Sequence, residues 1–271
     1  MIVDMKQEIA KLKRPPKLAA VLVGDIGGSR KFLELKKSVA EKIGIDFKIY
    51  EFPENITTRQ LRKKVSEIAK VKTNDAVIVE LPLPKHINAQ YILNAIPESK
   101  DADVLSQKSQ GSFFARLDSA KRAGKNKILP PAVEAVKVIF EKNNIVVNGK
   151  NCAVFGYGLL VGKPVSHWLG QVGATMTIIN EFTKSPEIFS KNADIVISGV
   201  GKPGLITADM VKEGAMVIDF GYGSLDGKIV GDVDFAGVSP KAALITPVPG
   251  GVGPIVVVAV LKSLLTLHKN D

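Results

Sequence analysis

Cys152-Ala153-Val154-Phe155-Gly156-Tyr157-Gly158-Leu159-Leu160-Val161-Gly162-Lys163-Pro164 is the stretch on which the fold turns. An apolar run of strand length enters a glycine turn and leaves into a helix. Gly156 permits the tight turn, Gly158 opens the backbone to a pyrophosphate, and Gly162 allows helix and strand to pack closely. The helix N-terminus then offers its partial positive charge to phosphates. The spacing is GxGxxxG rather than GxGxxG, and a plain strand-to-helix turn uses glycines in the same way. The following run, residues 175–180, leads into Glu181, where dinucleotide folds place an acid to accept the ribose hydroxyls. Glycine turn, helix, strand and acid in that order favour a dinucleotide over a plain turn.

Outward from this stretch, apolar runs alternate with helix-period segments, the mark of βα units and a parallel sheet. Upstream, strands are predicted over 17–24, 46–52 and 76–81, with helices over 29–43, 57–69 and 89–95. Thr57 or Thr58 caps the second of these helices. Pro82-Leu83-Pro84 ends the third strand, because proline cannot continue a ladder. The pattern dissolves between 100 and 129 and resumes with a helix over 131–143. Strands over 152–155, 175–179, 195–198, 216–219 and 243–246 follow, and a last apolar helix comes after Pro254. No internal repeat is evident.

Composition narrows the function. A single cysteine, Cys152, excludes an internal disulfide or a thiolate metal cluster, and the three histidines show no ligand spacing, so no metal is expected. No apolar run approaches the roughly 20 residues of a membrane span. Asp4, Lys6 and Glu8 interrupt any signal-peptide core, so a cytoplasmic protein is expected. The net charge of +10 suits an anionic partner. It is spread along the chain without interleaved aromatics, which points to an anionic metabolite or cofactor, not nucleic acid or membrane. The densest basic stretch, 116–127, reads as a solvated linker.

Three more segments are informative: Glu80-Leu81-Pro82-Leu83-Pro84-Lys85-His86-Ile87, Lys100-Asp101-Ala102-Asp103, and Thr246-Pro247-Val248-Pro249-Gly250-Gly251-Val252-Gly253-Pro254. With Val161-Gly162-Lys163-Pro164 and Gly231-Asp232-Val233-Asp234, they resemble the bifunctional methylenetetrahydrofolate dehydrogenase/methenyltetrahydrofolate cyclohydrolase (FolD) family. The likeness runs in order from Leu18 to Leu265.

The resemblance implies a two-domain α/β protein, usually a homodimer, with a cleft between domains. Residues 1–140, joined by the C-terminal helix 254–268, form the αβα folate-binding and catalytic domain. Residues 141–253 form the Rossmann-type NAD(P)-binding domain. The implied reaction oxidises 5,10-methylenetetrahydrofolate to the methenyl cation, then hydrolyses that cation to 10-formyltetrahydrofolate. The acidic tail of folates, polyglutamylated ones included, suits a basic protein. The family's SxxYxxxK pattern falls on Ser29, Phe32 and Lys36, with Lys36 as the lysine that activates or orients water. These three share one helix face. Asp103 matches the aspartate that anchors the amino-pyrimidine edge of the pterin. Pro249, Gly250, Gly251 and Gly253 match the loop beside the ligand. Gly156, Tyr157, Gly158, Gly162, Lys163, Glu181 and Tyr222 make up the cofactor-binding set.

Departures from the family pattern shape the expectations. Tyrosine is Phe32, the glutamine of QLPLP is Glu80, the GRS cofactor loop is Gly156-Tyr157-Gly158, and a serine is Glu181. PCTP is Pro130-Pro131-Ala132-Val133, and the threonine after GGVGPM is Val256. Without the arginine that pairs with a 2′-phosphate, and with a carboxylate that repels it, NAD is favoured over NADP. Glu80 beside Lys36 either holds the lysine as its ammonium and slows hydrolysis, or is itself the base with Lys36 as orienter. A dehydrogenase with weak cyclohydrolase, or a catalytically impaired binding relative, are the alternatives.

Overall fold

A computed structural model describes residues 1–26, 28–115 and 128–269. Two compact units divide them. The first takes in 1–115, 128–131 and 257–269, and the second 132–256.

In the first unit α1 (Ile2–Ile9) precedes β1 (Lys17–Val23), α2 (Ser29–Lys42), β2 (Asp46–Phe52), α3 (Thr58–Lys70), β3 (Ala76–Val79), α4 (Ala89–Leu93) and α5 (Gln107–Phe114). The three strands run parallel in the order β2-β1-β3. β1 is central and buried from Leu18 to Val23, as its unbroken apolar sequence requires. Its register pairs Leu18 with Phe47 on one side and with Ala76 on the other. Val77 also bridges to Asp101, which brings the segment after α4 alongside the β3 edge. The core joins Met5 and Ile9 of α1, Leu33 and Ala40 of α2, and residues 258–267 of the chain's last helix.

Local chemistry sets the helix starts. Thr57, rather than Thr58, caps α3: its hydroxyl accepts from the Gln60 N–H, and the Gln60 side chain accepts from the Thr57 N–H. Asn88 and Ser106 cap α4 and α5 with their side chains alone, accepting from the Tyr91 and Ser109 N–H groups. Helix α5 lies where the sequence pattern had dissolved, since two serines, a glycine and two glutamines dilute its apolar period. The basic stretch 116–127, read as a linker, lies outside the described residues.

The second unit comprises α6 (Pro131–Lys142), β4 (Asn151–Phe155), α7 (Gly162–Gln171), β5 (Thr175–Ile179), α8 (Pro186–Ser190), β6 (Ile195–Ser198), β7 (Met216–Asp219), β8 (Gly223–Leu225), β9 (Lys228–Val230), α9 (Phe235–Val238), β10 (Leu244–Ile245) and the start of α10 (Val252–His268). Five parallel strands follow the order β10-β7-β6-β4-β5. This is the dinucleotide-fold order without its outermost third strand, and it reverses direction between β4 and β6. Helix α6 counts with this unit from Ala132 onward, where Phe140 stacks at 6.3 Å on Trp168 of α7. β8 and β9 form an antiparallel hairpin that the sequence reading did not foresee. Its turn, Asp226-Gly227, has both φ angles positive, as a two-residue hairpin requires. Helix α10 begins at Val252, so Pro254 sits inside its first turn, where a missing N–H costs little.

Candidate active site

In the first unit the sheet reverses between β1 and β3, and ligands of open α/β sheets bind at the carboxyl ends beside such a reversal. Glu80 follows β3 directly, its N–H donating to the Val21 carbonyl at 2.9 Å. Lys36 lies on α2, the helix after β1. Lys36 Nζ donates to Glu80 Oε2 at 2.6 Å, with side chains only 8% and 5% exposed. Such a contact is a charge-assisted hydrogen bond, and removing either partner would leave a buried charge alone. Nζ also sits 4.6 Å from the centre of the Phe32 ring, one turn earlier on the same face. Ser29, a turn earlier again, has a buried hydroxyl without a hydrogen-bond partner among the described residues.

Asp103 joins this group. It is half-buried by surface, yet burial of its carboxyl pushes its pKa up to about 7. The Lys36 ammonium pulls that value down, while the Glu80 and Asp101 carboxylates push it further up. Asp101 holds the turn carrying Asp103: its two oxygens accept from the Leu105 N–H at 3.2 Å and the Ser106 N–H at 2.8 Å. The sequence reading quoted Asp101 without giving it a role. The structure therefore brings Phe32, Lys36, Glu80 and Asp103 into one electrostatic neighbourhood.

In the second unit the glycine turn has the geometry a pyrophosphate needs. Gly156 has φ +89°, and its N–H donates to the Ile179 carbonyl of β5 at 2.7 Å. A Cβ on Gly162 would lie 2.1 Å from the Gly156 carbonyl oxygen, so only glycine lets α7 start this close to the strand. Among the described residues, a Cβ on Gly158 would meet nothing within 4 Å, and no side chain caps α7. The helix N-terminus thus keeps its dipole for an anion, and these residues fit a dinucleotide.

Lys163 Nζ lies 5.6 Å from the centre of the half-exposed Tyr157 ring. Glu181 is exposed in the turn after β5, the strand next to β4. Half-exposed Tyr222 follows β7, two strands from β4 on the other side. Pro249, Gly250 and Gly251 form the turn that runs into α10, with Gly253 in its first helical residues.

Two buried aspartates were given no role in the sequence, although Asp232 belongs to the quoted segment Gly231-Asp232-Val233-Asp234. Asp219 ends β7 and Asp232 follows β9, and both are at most 3% exposed. Burial pushes the Asp219 carboxyl up, against the N–H groups of Val233, Gly221 and Asp232 that lower it, and the Asp232 carboxylate raises it again. The signals available were an aspartate closing an otherwise apolar strand, for Asp219, and the quoted Gly231–Asp234 segment, for Asp232.

Comparison with known proteins places these features. The catalytic-domain model of tetrahydrofolate dehydrogenase/cyclohydrolase matches residues 2–103, and the NAD(P)-binding-domain model matches 130–271. The bifunctional protein FolD of Nautilia profundicola is 41% identical over 98% of this chain and 93% of its own. That of Aquifex aeolicus is 37% identical over 98% and 91%. The crystal structure of the bifunctional FolD enzyme from Campylobacter jejuni superposes with a TM-score of 0.91 at 33% identity, covering 99% of this chain and 93% of that one. The Trypanosoma brucei enzyme, complexed with NADP and an inhibitor, gives 0.92 at 32% over 99% and 93%. No helix among the described residues is long and apolar enough to cross a membrane. With both family models matched in order along its length, the chain belongs to the tetrahydrofolate dehydrogenase/cyclohydrolase family.

Proposed function

We propose that this protein oxidises 5,10-methylenetetrahydrofolate to the methenyl cation and hydrolyses that cation to 10-formyltetrahydrofolate. The observation that carries this is the buried Lys36–Glu80 contact of 2.6 Å beside Asp103, in a chain matched by both family models. A folate offers two N–H donors on its amino-pyrimidine edge, and an ionised Asp103 accepts both. Phe32 supplies an aromatic face in the same group, and Lys36 takes or guides the proton of the attacking water. A nicotinamide dinucleotide supplies the hydride acceptor when bound. The Gly156–Gly162 turn and the α7 N-terminus hold its pyrophosphate.

NAD is the preferred dinucleotide in this reading. Tyr157 stands where an arginine would pair with a 2′-phosphate, and the Glu181 carboxylate accepts ribose hydroxyls but repels phosphate. A homodimer is expected from the family likeness, and light scattering of the purified chain reads it directly. The central experiment incubates the protein with methylenetetrahydrofolate and either dinucleotide, following methenyl absorbance as it forms and decays. Formation followed by decay supports both activities. Formation without decay leaves a dehydrogenase alone, and no formation with either dinucleotide overturns the reading.

A further inference from the structure

Asp232 is fully buried and lies far in sequence from everything its side chain touches. Its Oδ2 accepts from the Ser198 hydroxyl at 2.6 Å and the Val200 N–H at 2.8 Å, and its Oδ1 from the Lys202 N–H at 2.7 Å. All three donors belong to the end of β6 and the loop after it. Asp219, at the end of β7, anchors Asp232 in turn. Its Oδ1 accepts from the Gly221 and Asp232 N–H groups at 2.7 and 3.2 Å, and its Oδ2 from the Val233 N–H at 3.0 Å. The Asp219 N–H donates to Thr246 Oγ1 at 2.8 Å, which ties the pair to the start of the proline-glycine turn. Two neighbouring carboxylates thus have their charge met by backbone N–H dipoles and one hydroxyl.

The loop so fixed abuts the glycine turn. A Cβ on Gly156 would lie 2.7 Å from Val200 Cγ1, and a Cβ on Gly199 would lie 3.0 Å from the Val161 side chain. Residues 199–202 therefore form the other wall at the reversal between β4 and β6, where a dinucleotide binds in sheets of this order. A shift of that wall would be felt directly at Gly156.

We propose that Asp232 is a positioning residue for dinucleotide use, setting the 199–202 wall against the glycine turn through Ser198, Val200 and Lys202. The proposal rests on the dehydrogenase reading above and goes beyond it by naming what aligns the crevice. A carboxamide cannot replace the carboxylate, because its amino group would face donors on one side. Ser198→Ala is the milder probe, removing one donor and leaving both backbone bonds.

The test uses the full-length chain and two readouts. One is the affinity for NAD and NADP by calorimetry, and the other is hydrolysis of methenyltetrahydrofolate without dinucleotide. Asp232→Asn is expected to weaken the preferred dinucleotide by about tenfold to a hundredfold. Hydrolysis, whose candidate catalytic residues Lys36 and Glu80 lie in the other unit, should stay within about twofold of the parent. Ser198→Ala is expected to weaken dinucleotide binding by about threefold, less than Asp232→Asn, because both backbone N–H bonds to the carboxylate remain. Unchanged affinity in Asp232→Asn with hydrolysis retained overturns the proposal. If Asp232→Asn loses both functions, Ser198→Ala decides: weaker binding with hydrolysis retained supports positioning. Unchanged binding, or loss of both functions again, makes Asp232 a folding residue only. A parent protein that binds neither dinucleotide refutes the dehydrogenase reading itself, an outcome separate from any behaviour of the variants.

Discussion

Glu80 is the residue on which the chemistry of the first unit turns. Its carboxylate meets Lys36 Nζ at 2.6 Å inside the fold, and it also pushes the Asp103 carboxyl upward. Two consequences separate. Asp103 must be ionised to accept two donors from a pterin, and burial has brought its titration up to about 7. Folate affinity should therefore rise between pH about 6 and about 8, as the carboxylate forms. Glu80→Gln removes a like charge, so the inflection should move to lower pH, and an unmoved profile would show that Asp103 does not feel Glu80. The second consequence concerns the water-attack step. The Glu80 carboxylate engages Lys36 Nζ in a short charge-assisted hydrogen bond, whereas a glutamine there accepts a weaker one and leaves Nζ freer to meet the attacking water. Glu80→Gln should speed methenyl hydrolysis severalfold and leave hydride transfer nearly unchanged. Abolished hydrolysis would instead make Glu80 the base. At the other ligand, Glu181→Ser removes an exposed carboxylate at the end of β5. The ratio of kcat/KM for NADP to that for NAD should rise by about fivefold, a small effect because water screens the site. An unaltered ratio places the discrimination elsewhere.

Among the elements, capping gives a clean expectation. Thr57→Ala removes the hydroxyl half of the α3 capping box, leaving the Gln60 side chain on the residue-57 N–H, and should cost about 1 kcal/mol in urea unfolding with both activities intact. Unchanged stability would mean that the helix start is held by packing alone. The same kind of local chemistry explains what could be read from sequence. The strands β1, β3, β4 and β6 are runs of apolar residues buried on both faces, so their composition alone announces them. Helix α3 announces itself through Thr57 and its apolar period, while α5 stays hidden despite its Ser106 cap because polar residues dilute its period. The β8–β9 hairpin was missed because each strand has three residues, although Asp226-Gly227 is a strong turn signal. Helix α1 was missed because only Met5 and Ile9 of its eight residues are buried. The site divides similarly. Lys36, Glu80 and Asp103 stood out through their resemblance to the family's short motifs, each of which is local to a helix or loop. Apart from the Gly221 N–H, Asp219 and Asp232 act through contacts 13 to 34 residues apart, and no window along the chain reports such a network.

On the scale of the whole molecule, the first unit is built from both ends of the chain. Residues 258–267 of α10 enter the same core as Met5 and Ile9 of α1, and Lys269 Nζ pairs with Glu8 at 2.5 Å. Asp75, just before β3, is the polar counterpart of that closure. Its side chain is wholly buried and accepts two bonds from the Arg14 guanidinium, at 2.8 and 2.6 Å, and one from the Lys17 N–H at 2.7 Å. His268 Nδ1 of α10 lies 3.0 Å away and makes an ion pair whenever its ring is protonated. Burial alone would raise the Asp75 carboxyl, but Arg14, the Lys17 N–H and His268 outweigh it and hold the value below its ordinary level. A depressed carboxylate adds stability that is fully present above its unfolded pKa and is lost as pH falls through the folded value. Asp75→Asn should thus lower stability by about 2–3 kcal/mol at pH 7. The gap to the parent should close in acid below the ordinary carboxylate range, where the parent loses the same charge. Urea midpoints across that pH range read both effects. Equal midpoints for parent and variant at pH 7 would show that the apolar contacts of α10, not Asp75, hold the chain's two ends together.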